Sequence, residues 1–576
     1  MFVRIAAAAA VAVMITPACV MAQAYQRVAP RLPSGSAVPV ITPAPIMAAP
    51  VAGSNGSTRI MPSLEGVMFV AGDKEFVADG VSNGAKGVDA SRVPILDKPE
   101  FLSKISDFVG RPLTISDLEE IRAITIAWQS QHGDPFVNVS IPPQNITKGV
   151  IQVVVTQYFL GQVGVEGNHY FNKRVVKELA GFKVGKPLML GDVQSHMKQA
   201  NQNPFLDVNA IFQPGSKPGE ADIILKAKDQ FPLRVYAGYD NNGVPSLGIG
   251  EMFFGVNWGN VLGLGQVLSY QYTRTINGDE TSHSASYTMP LSWDNQLQVF
   301  GSYQIAKPNN LPGVFDSKGT STQISLRYVH FFPQTGRLTQ DVQLGYDFKT
   351  TNNDLDFFGY RIFSQRAQIH QFSVTYDGTL DDRLGQTVMQ NIFVFSPGGF
   401  TDKNSTAVFE TFVPGAKANY IYDRLSLTRT TRLPWNMSSV SRAMLQLADN
   451  NLLDSEQLAG GGVGSVRGYY TDTAMGSDGA ILSQEFRAPP INFRTGMRDL
   501  DGQLQFGAFV DYANLWQITA ISGQDKNNAL LSTGVDAALS MGSHLNVEWN
   551  LGWRLESVQM EPKRGAFGNI SVVASF

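Results

Sequence analysis

The sequence has little cysteine, little charge and no long apolar run after its first residues. Its one cysteine, Cys19, lies near the N-terminus, so a chain processed after this residue contains no thiol for a disulfide. No later run reaches the roughly 18 apolar residues that predict a transmembrane helix. Charged residues make up 16 % of the chain, below the usual quarter or so. The net charge is −4 and there is no basic run, so we expect no nucleic-acid partner.

The chain also lacks the residue patterns of common enzymes. None of its seven histidines has the HExxH spacing of a zinc site. Ser465 is not in a nucleophile elbow, because Val463 stands two positions before it instead of glycine. Gly248-Ile249-Gly250 lacks the third glycine of a dinucleotide-binding loop. We therefore expect no enzymatic activity, no metal site and no cofactor.

Residues 1–22 are typical of a secretory signal peptide. An arginine precedes an apolar stretch, Ile5 to Ile15, and Val20-Met21-Ala22 has the small residues of a cleavage site. A lipoprotein signal at Cys19 is the weaker alternative, because the leucine usually found three residues earlier is absent. Residues 23–60 are rich in proline and predict an extended linker without a long helix. Export without a membrane helix leaves the periplasm, the outer membrane or the exterior.

Two stretches, 61–157 and 158–230, share the predicted order strand, helix, helix, strand, strand. In the first, apolar residues at helical spacing predict a helix that begins at Ser116, with Glu119 completing a capping box. The two stretches form a weak internal repeat of two small α+β modules. Any small α+β domain could have this order of elements, so the order alone does not identify the modules.

Residues 231–576 predict an all-β domain. Apolar and polar residues alternate in segment after segment, as in Leu545–Trp553, where every odd position is apolar. Alternation over about ten residues with turns between is the signature of a membrane β-barrel, and the length suits about sixteen strands. A soluble β-sandwich also alternates, but it would not place Trp, Tyr and Leu on one face of nearly every strand. The pattern leaves the strand boundaries between Thr350 and Ser405 open.

The final segment, Gly568 to Phe576, predicts a strand with an apolar outer face that ends on the terminal aromatic Phe576. Val573 is the exception on its polar inner face. A last strand of this kind resembles the closing strand of bacterial outer-membrane barrels, which the assembly machinery reads. A soluble core strand that happens to finish the chain is the alternative.

The glycine-rich stretch Gly460 to Asp472 contains a single arginine, Arg467, with Val466 before it and two tyrosines shortly after it. Such a glycine density marks tight turns or close backbone approach, and we expect this loop to fold inward. Further along, period 2 places Phe509 and Asp511 on the inner face of one strand. A carboxylate in a barrel wall needs a partner, so we pair Arg467 with Asp511. We expect Phe509 to pack beside the loop and Gly507 to leave it room; a hydrated lumen with both charges solvated is the alternative.

These residues carry a resemblance to a known family. Val466-Arg467-Gly468-Tyr469 resembles the motif in the sixth extracellular loop of the outer-membrane assembly superfamily, and Phe509-Val510-Asp511 resembles its strand partner. The turn Asn260–Gln266 is also similar. Two POTRA-like modules before a barrel of about sixteen strands resemble the two-partner secretion transporters (TpsB) of the hemolysin and filamentous-adhesin type.

The resemblance implies a function. A large secreted partner protein would reach the periplasm unfolded, bind the POTRA modules and cross the outer membrane through the barrel without ATP. Outer-membrane lipid and the barrel assembly machinery are the other implied partners. A BamA- or TamA-like insertase, normally with three or more POTRA modules, and a passive porin are the alternatives. The family often has an N-terminal helix in the pore, and the proline-rich N-terminal region implies that such a helix is short or absent here.

Overall fold

The computed structural model describes residues 24–33, 41–42, 57–81, 86–132, 134–217, 219–309, 315–358, 360–494, 496, 501–520, 526–558 and 565–576. The predicted signal peptide and Cys19 lie outside these ranges. The described residues form two compact units. One contains the residues up to 33, residues 203–205 and residues 231–576, and the other contains the two α+β modules. The first element, helix α1 (Ala24–Val28), and residues 29–33 belong to the barrel unit.

The first module has the predicted order of strand, helix, helix, strand and strand, with three additional short strands. Its sheet has the strand order β4-β3-β7-β6, in which β3 and β7 are parallel and β6 and β7 are antiparallel. The helices bury Phe101 and Trp128 against this sheet. In chain order the elements are β1 (Ile41–Thr42), which pairs with the second module, β2 (Arg59–Met61), β3 (Gly66–Ala71), β4 (Gly87–Asp89), α2 (Pro99–Ser106), β5 (Leu113–Thr114), α3 (Ile115–Gln131), β6 (Val137–Ser140) and β7 (Val150–Gln157).

The capping box of α3 lies two residues earlier than predicted. Thr114, not Ser116, is the N-cap, and its hydroxyl accepts a hydrogen bond from Asp117 N at 3.2 Å. The Asp117 carboxylate accepts one from Thr114 N at 2.8 Å. The pair Ser116 and Glu119 and the pair Thr114 and Asp117 both have the required spacing of three residues. Thr114 has the extended backbone that an N-cap needs, so the helix begins directly after it.

The second module repeats the predicted order. It contains β8 (Phe159–Glu166), α4 (Lys173–Ala180), α5 (Leu190–Ala200), β9 (Leu206–Pro214) and β10 (Glu220–Asp229). The sheet order is β1-β9-β10-β8, with β8 and β10 parallel and β9 and β10 antiparallel. The two-residue strand β1 pairs in parallel with the outer edge of β9. Among the helices of the described residues, none combines the length and the apolar character that crossing a bilayer requires.

The remaining strands, apart from one short hairpin, close into a barrel in which each strand is antiparallel to its neighbours, and the last strand pairs with the first to complete the ring. Its elements are β11 (Leu233–Asp240), β12 (Glu251–Val261), β13 (Gln266–Thr275), β14 (Glu280–Ser292), β15 (Asn295–Ala306), β16 (Phe315–Phe331), β17 (Leu338–Phe357), β18 (Tyr360–Asp381), β19 (Gly385–Ser396), α6 (Thr406–Phe412), β20 (Tyr420–Arg432), a 3₁₀ turn (Pro434–Asn436), β21 (Ser438–Ala448), β22 (Leu458–Gly460), β23 (Ala474–Gly476), β24 (Asp478–Arg487), β25 (Ile491–Phe493), β26 (Gly502–Trp516), β27 (Asn527–Met541), β28 (Leu545–Arg554) and β29 (Ala566–Ser575).

The wall has sixteen strand positions, as predicted, because β24 and β25 occupy one position. Both pair with the same strand, β26. Between them lie Pro489 and Pro490, which have no N–H to donate to a neighbouring strand and therefore interrupt the ladder. The hairpin β22–β23 is separate from the wall and forms a two-stranded sheet of its own.

The predicted alternation of faces is confirmed along the wall. On β13, Leu268 and Tyr270 are exposed outward, whereas Ser269 and Gln271 are buried inside the barrel. The boundaries that the sequence left open between Thr350 and Ser405 are those of β17, β18 and β19. Strands β17 and β18 are 20 and 22 residues long, about twice the length that a membrane crossing needs. Their ends carry polar residues on both faces, so period 2 does not mark where they stop.

The alternation predicts different costs for one charge on the two faces of β15. Val299→Arg places a cation on the lipid face near the middle of the strand, and we expect a loss of about 2–4 kcal/mol of folding free energy. Gln298→Arg, one residue earlier on the lumenal face, should cost far less. Urea unfolding in lipid vesicles, followed by tryptophan fluorescence, measures both. Equal losses would contradict the assignment of faces.

Candidate functional site

The loop between β21 and β24, residues 449–477, folds into the barrel. It is the sixth of the loops on the side opposite the short turns, and the hairpin β22–β23 forms its base. We call residues 461–472 the loop tip. Val466 and Tyr469 in this tip are fully buried and pack with Leu515 and Leu530 of the wall. The tip is therefore part of the barrel interior.

The guanidinium of Arg467 grips the carboxylate of Asp511 with two parallel hydrogen bonds. Arg467 Nε lies 2.8 Å from Asp511 Oδ2, and Nη2 lies 2.9 Å from Oδ1. The backbone N–H of Arg467 donates to the same carboxylate at 3.0 Å. Asp511 is fully buried and Arg467 is 7 % exposed. Charge-assisted bidentate bonds in a buried site are strong and directional, so this contact fixes the position of the tip.

Two further carboxylates join this pair. Arg467 Nη1 lies 2.8 Å from Glu485 Oε2 and 3.4 Å from Asp536 Oδ2. Glu485 also binds Arg487 and Arg442, so three cations face three carboxylates. Neither acid is among the site residues predicted from the sequence. Period 2 could have identified both as inward residues of β24 and β27, but only strand pairing brings them beside Asp511.

Phe509 lies under the arginine, with the guanidinium carbon 3.5 Å from the centre of its ring. A cation over an aromatic face gains electrostatic attraction beyond packing. The expectation that Gly507 makes room for the loop was wrong in detail. A Cβ at Gly507 would lie 2.5 Å from a carboxylate oxygen of Asp536, so the glycine makes room for this acid of the neighbouring strand.

The other residues of the predicted motif hold the tip against β27 and β28. Gly468 has a φ of 91°, and a Cβ there would lie 2.8 Å from the backbone of Gly552. The Tyr469 hydroxyl donates to the carbonyl of Glu556 at 2.6 Å and lies 3.1 Å from the carbonyl of Leu531. Glycine is needed at 468 for both its dihedral angle and its close approach to the wall.

Phe576 lies away from this cluster, at the seam where the ring closes. Its backbone exchanges hydrogen bonds with Val235 of β11, at 2.9 Å and 3.1 Å, and its side chain is 80 % exposed. Val573, the exception on the inner face of β29, packs inside with Tyr236 and Phe253. An apolar residue is accommodated there because aromatic residues line that part of the lumen.

Residues 24–33 were predicted to be part of an extended linker, but they lie against the inner face of the barrel. Helix α1 has five residues and is followed by Pro30 and Pro33, which disfavour its continuation. Arg27 forms an ion pair with Glu280, and Arg31 Nη2 lies 2.6 Å from Asp240 Oδ2. The sequence left open whether an N-terminal helix is short or absent, and the structure has one of five residues. The linker interpretation is wrong for residues 24–33, because paired charges hold this segment in the lumen.

A cavity of about 720 Å³ lies beside the cluster. The loop tip, the wall strands and Arg31 line it, and its charged groups include Arg487, Glu485 and Asp536. Within the described residues, no group of three or more His, Cys, Asp or Glu side chains has the arrangement of a metal site. The arrangement can hold a loop in a polar lumen through charge pairing, and it leaves a cavity beside it that is large enough for many water molecules.

We expect Gly468→Ala to loosen the loop tip. An alanine at this φ is strained by about 1–2 kcal/mol, and its methyl group meets the Gly552 backbone. Amide hydrogen exchange across residues 461–472 should accelerate about tenfold or more.

Gly464→Ala is the matched control, because a Cβ at Gly464 would have no neighbour within 4 Å. It should leave the exchange rates unchanged. Equal rates in the two variants would contradict the close-approach argument.

Comparisons with known proteins identify the family. The model of the family described as haemolysin secretion/activation protein ShlB/FhaC/HecB matches residues 219–539, more than half of the chain. The heme/hemopexin transporter protein HuxB of Haemophilus influenzae is 21 % identical over 413 residues, which cover 69 % of this chain and 72 % of that protein. The outer membrane transporter CdiB of Escherichia coli O6:K15:H31 is 21 % identical over 416 residues, with 69 % and 68 % covered.

The fold agrees with solved structures. CdiB from Escherichia coli superposes with a TM-score of 0.72 at 18 % identity, with 92 % of this chain and 94 % of that chain covered. CdiB from Acinetobacter baumannii superposes with a TM-score of 0.60 at 15 % identity, with 96 % of each chain covered. The chain belongs to the haemolysin secretion/activation family, the outer-membrane barrel transporters of two-partner secretion.

Proposed function

We propose that the inward loop holds the lumen of this transporter in its resting state and shifts when the secreted partner protein passes. The observation that carries the proposal is the grip of Arg467 on Asp511 and Glu485 inside the barrel. Three wall strands, β24, β26 and β27, supply the acids for this one arginine. A loop that lay only on the outer surface of the barrel would not form buried ion pairs with the inner wall.

The N-terminal segment is the second occupant of the lumen. We propose that α1 and residues 29–33 fill the side lined by β11 to β15 and leave when the client enters. Two contacts of this segment support this: the carbonyl of Val28 accepts a hydrogen bond from Ser284, and the guanidinium of Arg31 lies 3.9 Å from the centre of the Phe253 ring. Both are contacts that a hydrated channel can replace, so departure does not require the wall to unfold.

We place client recognition on the two modules, residues 61–157 and 158–230, in the periplasm. An unfolded client offers extended backbone, and an exposed sheet edge binds such backbone by strand addition. The β9 edge of the second module already pairs with the two-residue strand β1 of this chain, so a parallel strand fits there. In this proposal the client segment replaces β1.

The direction of transport follows from the lack of ATP in the periplasm and from folding of the client outside the cell. The periplasm holds no ATP, so a client that folds only outside the cell cannot slide back, and its folding supplies the direction. The client is a large secreted protein of the adhesin or hemolysin type. Phe576 and the strand it closes would be the part that the barrel assembly machinery reads, and the outward apolar face would contact the membrane lipid.

Two alternatives lead to different measurements. A BamA- or TamA-like insertase would leave the culture medium unchanged and lower the amounts of other outer-membrane barrels when deleted. A passive porin would conduct ions constitutively. The anchored loop favours a pore that is closed at rest over a porin, and the presence of two modules favours secretion over insertion.

We expect Arg467→Ala to lower secretion of the client into the medium at least tenfold while the barrel still assembles. Removing one partner of a buried charge pair costs about 3–5 kcal/mol, which frees the loop tip from Asp511. Co-expression with a candidate client, a large exported protein of the adhesin or hemolysin type, gives the rate when the client is measured in the medium.

Heat-dependent migration on a detergent gel reports assembly of the barrel. Arg432→Ala removes an exposed arginine at the end of β20 and is the matched control. Export of the client at the normal rate by Arg467→Ala would contradict the proposed role of the loop. Arg467→Lys keeps the charge but not the bidentate geometry, so it should secrete at an intermediate rate.

We expect deletion of residues 61–156 to abolish secretion and leave the barrel in the membrane. The first module has its own sheet and core, and its removal takes away one client-binding edge. Immunoblots of the outer membrane and of the medium measure barrel and client separately. Loss of the barrel from the membrane would instead assign these residues to assembly.

A further inference from the structure

A second buried charge, Glu456, lies in the stem of the inward loop, residues 449–457. This residue stands eleven positions before Arg467 and is 1 % exposed. Its two carboxylate oxygens accept hydrogen bonds from Lys349 Nζ at 2.7 Å, Ser455 Oγ at 2.9 Å, Gln371 Nε2 at 3.0 Å and the Tyr422 hydroxyl at 3.0 Å. Four donors on one buried carboxylate leave it fully hydrogen-bonded.

The backbone of Glu456 is held as well. Its carbonyl oxygen accepts hydrogen bonds from Arg424 Nη2 at 3.2 Å and from Gln446 Nε2 at 3.0 Å. Side chain and main chain are therefore bound at the same point of the wall, and neither can leave without the other.

The donors come from a different part of the wall than the acids of the loop tip. Lys349 lies on β17, Gln371 on β18, and Tyr422 and Arg424 on β20. Arg467 instead binds β24, β26 and β27. The loop leaves the wall between β21 and β24, so it is held on both sides of its own origin. The two contacts share no residue.

Hydrogen bonds within the wall orient the side chains that bind Glu456. Gln371 Oε1 accepts a hydrogen bond from the Tyr420 hydroxyl at 2.6 Å, which turns its amide N–H groups toward the acids. The same amide donates to Asp347 at 3.1 Å, and Arg327 binds that aspartate at 2.7 Å. Preorganised donors raise the specificity of the contact for a carboxylate.

Apolar packing supports the stem beside this site. Leu452 and Leu453 are buried against Phe409 of α6, which belongs to the preceding loop. Asn451 donates to the carbonyls of Pro414 and Thr519, which belong to the loops on either side. The stem therefore joins three loops at the end of the barrel away from the short turns.

A cavity of about 260 Å³ adjoins Glu456, Lys349 and Arg424, and Tyr25 of the N-terminal segment lines its other side. Water that enters this space can hydrate the carboxylate and the cations once they separate. This lowers the cost of separating the charges, because an uncompensated charge is far more costly in a dry core than beside water.

We propose that Glu456 is a positioning residue and forms a second anchor of the inward loop, so that the loop leaves the lumen only when both Glu456 and Arg467 are released. The inference rests on the proposed function, in which the inward loop closes the resting pore. It adds a contact at the stem that resists opening independently of the tip. Each anchor alone keeps part of the loop in place.

Purified full-length protein in planar lipid bilayers tests this proposal through the fraction of time spent conducting. We expect Glu456→Ala and Lys349→Ala each to raise this fraction about tenfold, because each removes a charge-assisted contact from the closed state only. The double exchange Lys349→Glu/Glu456→Lys restores the pair with reversed charges and should return the fraction to within about threefold of the parent. Glu410→Ala, which removes an exposed carboxylate of α6, is the matched control.

The outcomes are distinct. An unchanged fraction in Glu456→Ala, or a double exchange that conducts as much as the single variants, overturns the second anchor. If Arg467→Ala opens the pore and Glu456→Ala does not, only the second anchor fails. If neither variant opens it, the proposed closure by the loop fails. Should Glu456→Ala not insert, Lys349→Ala and the double exchange decide, because Lys349→Ala leaves the loop itself intact.

Discussion

The structure depends on how charges inside the barrel lumen are paired. A carboxylate on the inner wall is surrounded by other strands, so it needs either water or a cation, and for Asp511 and Asp240 segments from outside the wall supply the cation. Arg467 forms ion pairs with Asp511 and Glu485, and Arg31 forms one with Asp240. Unpaired, each acid would be costly to bury. This single constraint brings both the loop and the N-terminal segment into the lumen.

Breaking such contacts costs free energy, but it does not dismantle the barrel. The wall is held by backbone hydrogen bonds between neighbouring strands, and these do not involve the loop tip or α1. The same barrel can therefore hold its lumenal segments or release them. The proposed function requires this division, because the wall must persist in the membrane while the loop and the N-terminal segment make way for the client.

Glycine has two separate uses in this arrangement. At Gly468 the backbone has a positive φ and approaches the Gly552 backbone so closely that no side chain fits between them. At Gly507 the missing side chain leaves room for the carboxylate of Asp536. The first glycine brings the loop against the wall, and the second lets a neighbouring strand contribute to the binding of Arg467. Both place charge beside charge without distorting the strands.

The sequence alone predicted the order of elements in the two modules and the barrel, because hydrophobic periodicity and turn chemistry are local. It also predicted the pairing of Arg467 with Asp511, but there the resemblance of both motifs to a known family was needed, because Glu485 and Asp536 face the lumen in the same alternation. Tertiary structure decided the rest. Glu485, Asp536 and Glu456 meet their partners only through strand register and loop path, which bring together residues distant in the chain. The proline content of residues 23–60 predicted a linker, yet residues 24–33 lie in the lumen, because Arg27 and Arg31 form ion pairs with Glu280 and Asp240 of the barrel wall. The local sequence around a residue does not indicate which distant residues will form ion pairs with it.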